Sequence, residues 1–165
     1  ALAVHGRTRA FKFKGRAEYD TIAAIKNSVS IPVLANGDIT TPVQAQQVLD
    51  YTQADGLLIG RAAQGNPWLF KEINHYLNTG KHSPPVSLQD IQQTMTDHVS
   101  ALHDFYGEEQ GLRVARKHVG WYLSKQPSAT IFKRLFNQID DASQQLIALH
   151  QLSSQLTSKG DEIAA

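Results

Sequence analysis

Three short apolar runs, each ending at a glycine, punctuate the opening part of the chain. Leu2-Ala3-Val4 stops at His5-Gly6-Arg7, Ile31-Pro32-Val33-Leu34-Ala35 stops at Asn36-Gly37-Asp38, and Gly56-Leu57-Leu58-Ile59 stops at Gly60-Arg61. Runs that are short, continuous and apolar predict strands buried on both faces of a parallel sheet. Between them the spacing turns helical. Tyr19, Ile22, Ala23, Ala24 and Ile25 gather near one side of a helix reaching about Val29, and a second helix opens at Pro42, with Thr40 or Thr41 as its cap, and reaches about Leu49. A third is expected from Trp68 to Leu77. Strand–helix repetition at roughly 25–30 residues is the cadence of a parallel α/β fold.

The pattern changes at Thr79-Gly80-Lys81-His82-Ser83-Pro84-Pro85, a linker by composition. Beyond it the strand signal stops. Four helical stripes follow: Leu88 to Phe105, stopped by Gly107; Leu112, Ala115, Val119, Tyr122 and Leu123, ended at Pro127; Ile131 to Ile139; and Ala142, Leu146, Leu149, Leu152 and Leu156, nearly in heptads. Four amphipathic helices on short connections predict a four-helix bundle, with the tail from Lys159 to Ala165 fraying. The expected organisation is therefore α/β over residues 1–80 and all-α over residues 86–158. Three parallel strands cannot close a barrel, which takes eight strands and roughly 250 residues. The first segment is thus expected to be the C-terminal part of a larger α/β domain whose remainder lies N-terminal.

Composition narrows the classes. Of 165 residues, 41% are hydrophobic and 19% charged, enough apolar content for a packed core, and no 18-residue apolar window exists to span a membrane. There is no cysteine, hence no disulfide, thiolate metal site or cysteine nucleophile in this chain. A reducing, cytoplasmic location is compatible with that. The 16 basic and 15 acidic residues nearly cancel, but unevenly. Arg7, Arg9, Lys12, Lys14 and Arg16 form one stretch without an acid, and Arg113, Arg116, Lys117, Lys125, Lys133 and Arg134 another. Such runs make either solvated surface or patches that polyanions seek.

Candidate chemistry sits where strands end, because parallel α/β folds place their sites at the C-terminal ends of strands. Asn36-Gly37-Asp38 offers close backbone approach between two polar side chains, and Gly60-Arg61 follows the next strand, before Gly65-Asn66-Pro67 opens a helix. Glycine turns leading into helical N–H groups suit an anion, so a phosphate is expected between Gly37 and Gly60-Arg61. Tight turns alone would use the same glycines. His5 can donate a hydrogen bond or move a proton, and Arg7 and Arg9 can grip phosphates. His75, His82, His98, His103, His118 and His150 are scattered, and no metal site is expected. On the second helix of the all-α segment Arg113, Arg116 and Lys117 lie away from the apolar stripe, a basic face suited to RNA phosphates, while Trp121 is expected to pack against a neighbouring helix.

Taken together, His5-Gly6-Arg7-Thr8-Arg9, Asn36-Gly37-Asp38-Ile39, Ile59-Gly60-Arg61-Ala62-Ala63-Gln64-Gly65-Asn66-Pro67-Trp68 and Arg113-Val114-Ala115-Arg116-Lys117-His118 resemble the bacterial tRNA-dihydrouridine synthases, most closely the B subfamily. The resemblance runs in order from residue 2 to about 157. It implies an FMN-binding (β/α)8 TIM barrel followed by a helical tRNA-binding domain. It also implies a cytoplasmic flavoprotein oxidoreductase that takes reducing equivalents from NADPH to the C5–C6 double bond of a tRNA uridine. Asn36, Gly37, Asp38, Gly60 and Arg61 would line the FMN phosphate and ribityl region, with His5 beside the flavin ring. Arg7 and Arg9 would lie near the target nucleotide, and Arg113, Arg116, Lys117 and Arg134 would contact tRNA. The family's proton-donor cysteine would lie upstream, so this piece alone is expected to be inactive, and its exposed sheet edge could drive association. Two alternatives stay open. Another FMN-dependent barrel oxidoreductase would explain the strand ends but not the basic helix, and a non-catalytic RNA-binding module would explain the helices but not the phosphate loops.

Overall fold

The computed structural model describes residues 1–8, 10, 15–124 and 129–163, with side chains in the last helix described through Leu152. The chain divides into two compact units, Ala1–Pro84 and Pro85–Ala165.

In the first unit β1 (Leu2–His5), β2 (Val33–Asn36) and β3 (Gly56–Leu58) form a parallel sheet in that order, alternating with α1 (Asp20–Ser28) and α2 (Pro42–Thr52). A 3-10 turn (Arg61–Ala63) and α3 (Leu69–Thr79) complete it. The register pairs Leu2 with Val33 and His5 with Asn36, then Asn36 with Leu58, so three strand ends finish level. Thr41 caps α2 by accepting from the Gln44 N–H, with Pro42 in the first turn. That helix passes Leu49 to end at Thr52, where Gln53 adopts a left-handed φ of 54° and its N–H donates to the Leu49 carbonyl. At the end of α3, Gly80 supplies the same conformation at φ 68°.

Only one sheet face is covered. Val33 and Ala35 pack with Ile22, Ile39, Ala45, Val48, Leu69 and Ile73 into the helix-side core. Alternation places Ala3, His5, Leu34, Asn36, Gly56 and Leu58 on the other face. Among the described residues no helix of this unit covers it, and Leu58 is 45% exposed. The expectation of strands buried on both faces is therefore not met by β1, β2 or β3 among the described residues. Apolar content alone does not say whether a layer covers the second face, or whether a further strand stands beside the outer strands β1 and β3.

The second unit is helical throughout its described residues: α4 (Leu88–Tyr106), α5 (Glu108–Tyr122), α6 (Thr130–Phe136) and α7 (Ala142–Ile163). Ser87 caps α4, accepting from the Asp90 N–H at 3.1 Å. Gly107, at φ 73°, separates α4 from α5. Met95, Val99, Leu102, Ala115, Val119, Leu123, Phe136, Leu149 and Leu152 share one core. Close approach of α4 and α5 requires Gly111, where a Cβ would stand 2.9 Å from the Cα of His103. α6 is only two turns, shorter than the Ile131–Ile139 stripe suggests, and α7 continues to Ile163, beyond the expected fraying point. A helix already nucleated propagates at little cost, even without an apolar stripe.

Candidate active site

The level strand ends open into one cleft of about 500 Å³. Its walls include His5 after β1, Asn36, Gly37 and Asp38 after β2, and Gly60 and Arg61 after β3. The six strand-end residues expected to hold the cofactor thus meet in one place, whereas Arg7 is not among the cleft's lining residues. Ile39, Thr40, Leu58, Ile59 and Ala62 also line it, and a sequence reading confined to glycine-polar motifs passes over them.

Each wall is held by a specific contact. The Arg7 N–H donates to His5 Nδ1 at 3.0 Å, so in the neutral ring Nε2 carries the proton. Asn36 donates its side-chain amide to the Leu58 carbonyl, tying the ends of β2 and β3. Gly37 takes φ 134°, and a Cβ there would stand 2.7 Å from that of Ala17. Tyr19 donates its hydroxyl to the Gly37 carbonyl at 2.6 Å. A Cβ on Gly60 would meet nothing within 4 Å, so that wall stays open beside the N–H groups that begin the 3-10 turn.

Asp38, at φ 48°, is the electrostatic centre. Arg7 grips both its carboxylate oxygens, one at 2.9 Å, the Ala17 N–H donates to Oδ2 at 2.9 Å, and Arg61 approaches Oδ1 at 3.5 Å. The Arg7 hydrogen bond, ahead of the Ala17 N–H and the charges of Arg7 and Arg61, holds the carboxyl below the usual carboxylate range. The Tyr19 phenol is raised by burial and then by the Asp38 charge. The Arg7 side chain is 6% exposed, and its guanidinium also donates to the Gly15 carbonyl at 2.6 Å. Asp38 and the Gly15 carbonyl thus hold this side chain within the first unit. Arg9 lies outside the described residues.

In the helical unit the basic residues separate. Arg113 is exposed and pairs with Glu109 at 2.9 Å. The Lys117 ammonium lies 4.9 Å from the centroid of Trp121, whose other ring contact is His118, on its own helix rather than a neighbour's. Arg134 is exposed on α6. Arg116 turns inward, donating to the Ile139 carbonyl at 2.8 Å. The sequence carries the signal for this: at about 100° per residue, Arg116 sits only about 20° from Leu123 and about 40° from Leu112 around the helix. His98 and His118, far apart in sequence, meet edge to face at 4.5 Å, and burial lowers the pKa of both. Among the described residues no three metal-ligating side chains stand together.

The family model of the dihydrouridine synthases matches residues 1–157. The chain belongs to the dihydrouridine synthase family. Within that family it is similar to proteins named tRNA-dihydrouridine synthase B: 59% identical over 149 residues to that of Proteus vulgaris, covering 90% of this chain and 46% of the relative. The same figures hold for that of Escherichia coli strain K12. For Pseudomonas aeruginosa the identity is 53% over 165 residues, all of this chain and 50% of the relative. The chain spans about half the length of these dihydrouridine synthases.

Proposed function

We propose that the protein carrying this chain is a cytoplasmic tRNA-dihydrouridine synthase. In this reading residues 1–80 are the C-terminal part of a TIM-barrel flavin domain and residues 86–158 a four-helix tRNA-binding domain. The observation that carries the proposal is the convergence of His5, Asn36, Gly37, Asp38, Gly60 and Arg61 on one cleft at level strand ends. The uncovered face bearing Leu34 and Leu58 suits a barrel interior.

FMN fits the cleft. The open wall at Gly60 and the N–H groups starting the 3-10 turn suit its phosphate, with Arg61 beside them. Asn36, Gly37 and Asp38 would hold the ribityl side, and His5 would offer its Nε2 N–H to the flavin ring. FMN, when bound, supplies the redox chemistry, carrying reducing equivalents from NADPH to the C5–C6 double bond of uridine. The acid that protonates the base is assigned to a cysteine outside this chain, which has none. The exposed Arg113, Lys117 and Arg134 would contact tRNA phosphates.

No helix of the described residues is long and apolar enough to cross a membrane. The test is to purify the full-length protein, record its absorption spectrum, and measure dihydrouridine in tRNA from a synthase-deficient strain with and without it. A flavin spectrum and restored dihydrouridine are expected. A flavin spectrum without tRNA reduction would favour another flavin-dependent barrel oxidoreductase, and RNA binding without flavin a non-catalytic module.

A further inference from the structure

An acid in an anion site needs an explanation. Asp38 lines the cleft between Gly37 and Gly60-Arg61, where a carboxylate would repel a phosphate. Arg7 does not line the cleft, yet its side chain is almost wholly buried and spends both ends of its guanidinium fork on Asp38. Through one nitrogen it also binds the Gly15 carbonyl, while Ala17 N–H binds the same carboxylate. The β1–α1 loop thus grips the β2 strand end at three places, counting the Tyr19 hydroxyl on the Gly37 carbonyl. What it grips is the pair of residues in left-handed backbone, Gly37 at φ 134° and Asp38 at φ 48°.

We propose that Arg7 is a positioning residue for this cleft: by pairing with Asp38 from outside it, Arg7 cancels the acid's charge and fixes the left-handed loop, so that the cleft accepts a phosphomonoester. The inference rests on the FMN reading and adds a residue to it. Arg7 and Arg61, 3.5 Å from the same carboxylate, carry two positive charges against the one negative charge of Asp38, which leaves one net positive charge at the cleft. The role also explains why an arginine is buried one residue past a strand-end glycine. A bidentate fork is the only side chain that can neutralise a carboxylate and lock its orientation together.

The test compares FMN with riboflavin, which lacks the phosphate, on flavin-free full-length protein by fluorescence titration. The readout is the ratio of the two dissociation constants, which cancels effects on the ring and ribityl chain. Arg7→Met is expected to lower the preference for FMN by about tenfold or more, the scale of a lost charge-assisted interaction. Adding Asp38→Asn to Arg7→Met is expected to restore the preference, because the uncompensated charge is gone. A purely structural role for Arg7 predicts equal weakening of both flavins and no rescue, and that result overturns the inference. Should Arg7→Met fail to fold, Asp38→Asn alone decides: the FMN preference must rise, and an unchanged or lower ratio overturns the proposal. A wild-type protein that takes up neither flavin overturns the FMN reading itself, whereas FMN bound with an unchanged ratio in Arg7→Met overturns this inference alone.

Discussion

Gly37 and Gly60 stand at neighbouring strand ends on the same cleft, and the backbone makes different demands of them. At Gly37 the φ of 134° is rarely open to an L side chain, and an added Cβ would press the Ala17 methyl at 2.7 Å. Gly37→Ala should cost about 2 kcal/mol or more, read as a lower urea midpoint with an unchanged slope. At Gly60 the backbone is not left-handed and a Cβ meets nothing within 4 Å. Gly60→Val should therefore leave the urea midpoint nearly in place while the purified protein loses its flavin absorbance, since the branched side chain occupies the room assigned to phosphate. A stable, fully yellow Gly60→Val protein would move the phosphate elsewhere. The pair separates a glycine kept for its backbone from one kept for its empty space, a distinction that the letter G in two similar motifs does not carry.

Helix and strand boundaries were legible wherever a residue has one strong structural preference. Thr41-Pro42 opens α2, and Gly107 closes α4. The end of α2 was not legible, because Gln53 takes the left-handed position that glycine usually signals. Site residues at strand ends could be read since parallel α/β topology fixes where the ends point. The fate of each arginine could not, since a guanidinium reaches equally well toward solvent or a carbonyl. On α5 this divides the basic residues in a testable way. Arg113→Ala with Lys117→Ala should weaken tRNA binding and flatten its salt dependence by up to about two phosphate contacts, leaving thermal stability nearly unchanged. Arg116→Ala should instead cost about 1–2 kcal/mol of stability, because it strands the part-buried Ile139 carbonyl, and should change the salt slope little. Equal effects on the salt slope from all three residues would show that Arg116 leaves Ile139 to reach RNA.

At the scale of the whole molecule the first unit carries surface that its own described residues do not use. β1 and β3 are both outer strands, so each presents unpaired backbone groups along one side. The face bearing Ala3, Leu34 and Leu58 is uncovered and apolar up to the polar His5 and Asn36 at its strand ends, although Val33 and Ala35, one residue away, are fully buried. A three-stranded sheet with one covered face and two open edges leaves backbone groups on both sides that further strands can pair. In a barrel both needs are met at once: one strand pairs with the free side of β1, another with that of β3, and the uncovered face becomes interior. The polypeptide of residues 1–165 expressed alone should therefore self-associate, with a sedimentation coefficient that rises with concentration. The full-length protein, measured alongside, should show no such rise from this cause. Replacing Leu58, at the open edge and 45% exposed, with Lys should reduce the association of the short polypeptide, because a charge on an edge strand opposes edge-to-edge pairing. A short polypeptide that sediments as a compact monomer at every concentration would mean that the open edges are satisfied within the chain itself, and the barrel reading would lose its physical necessity.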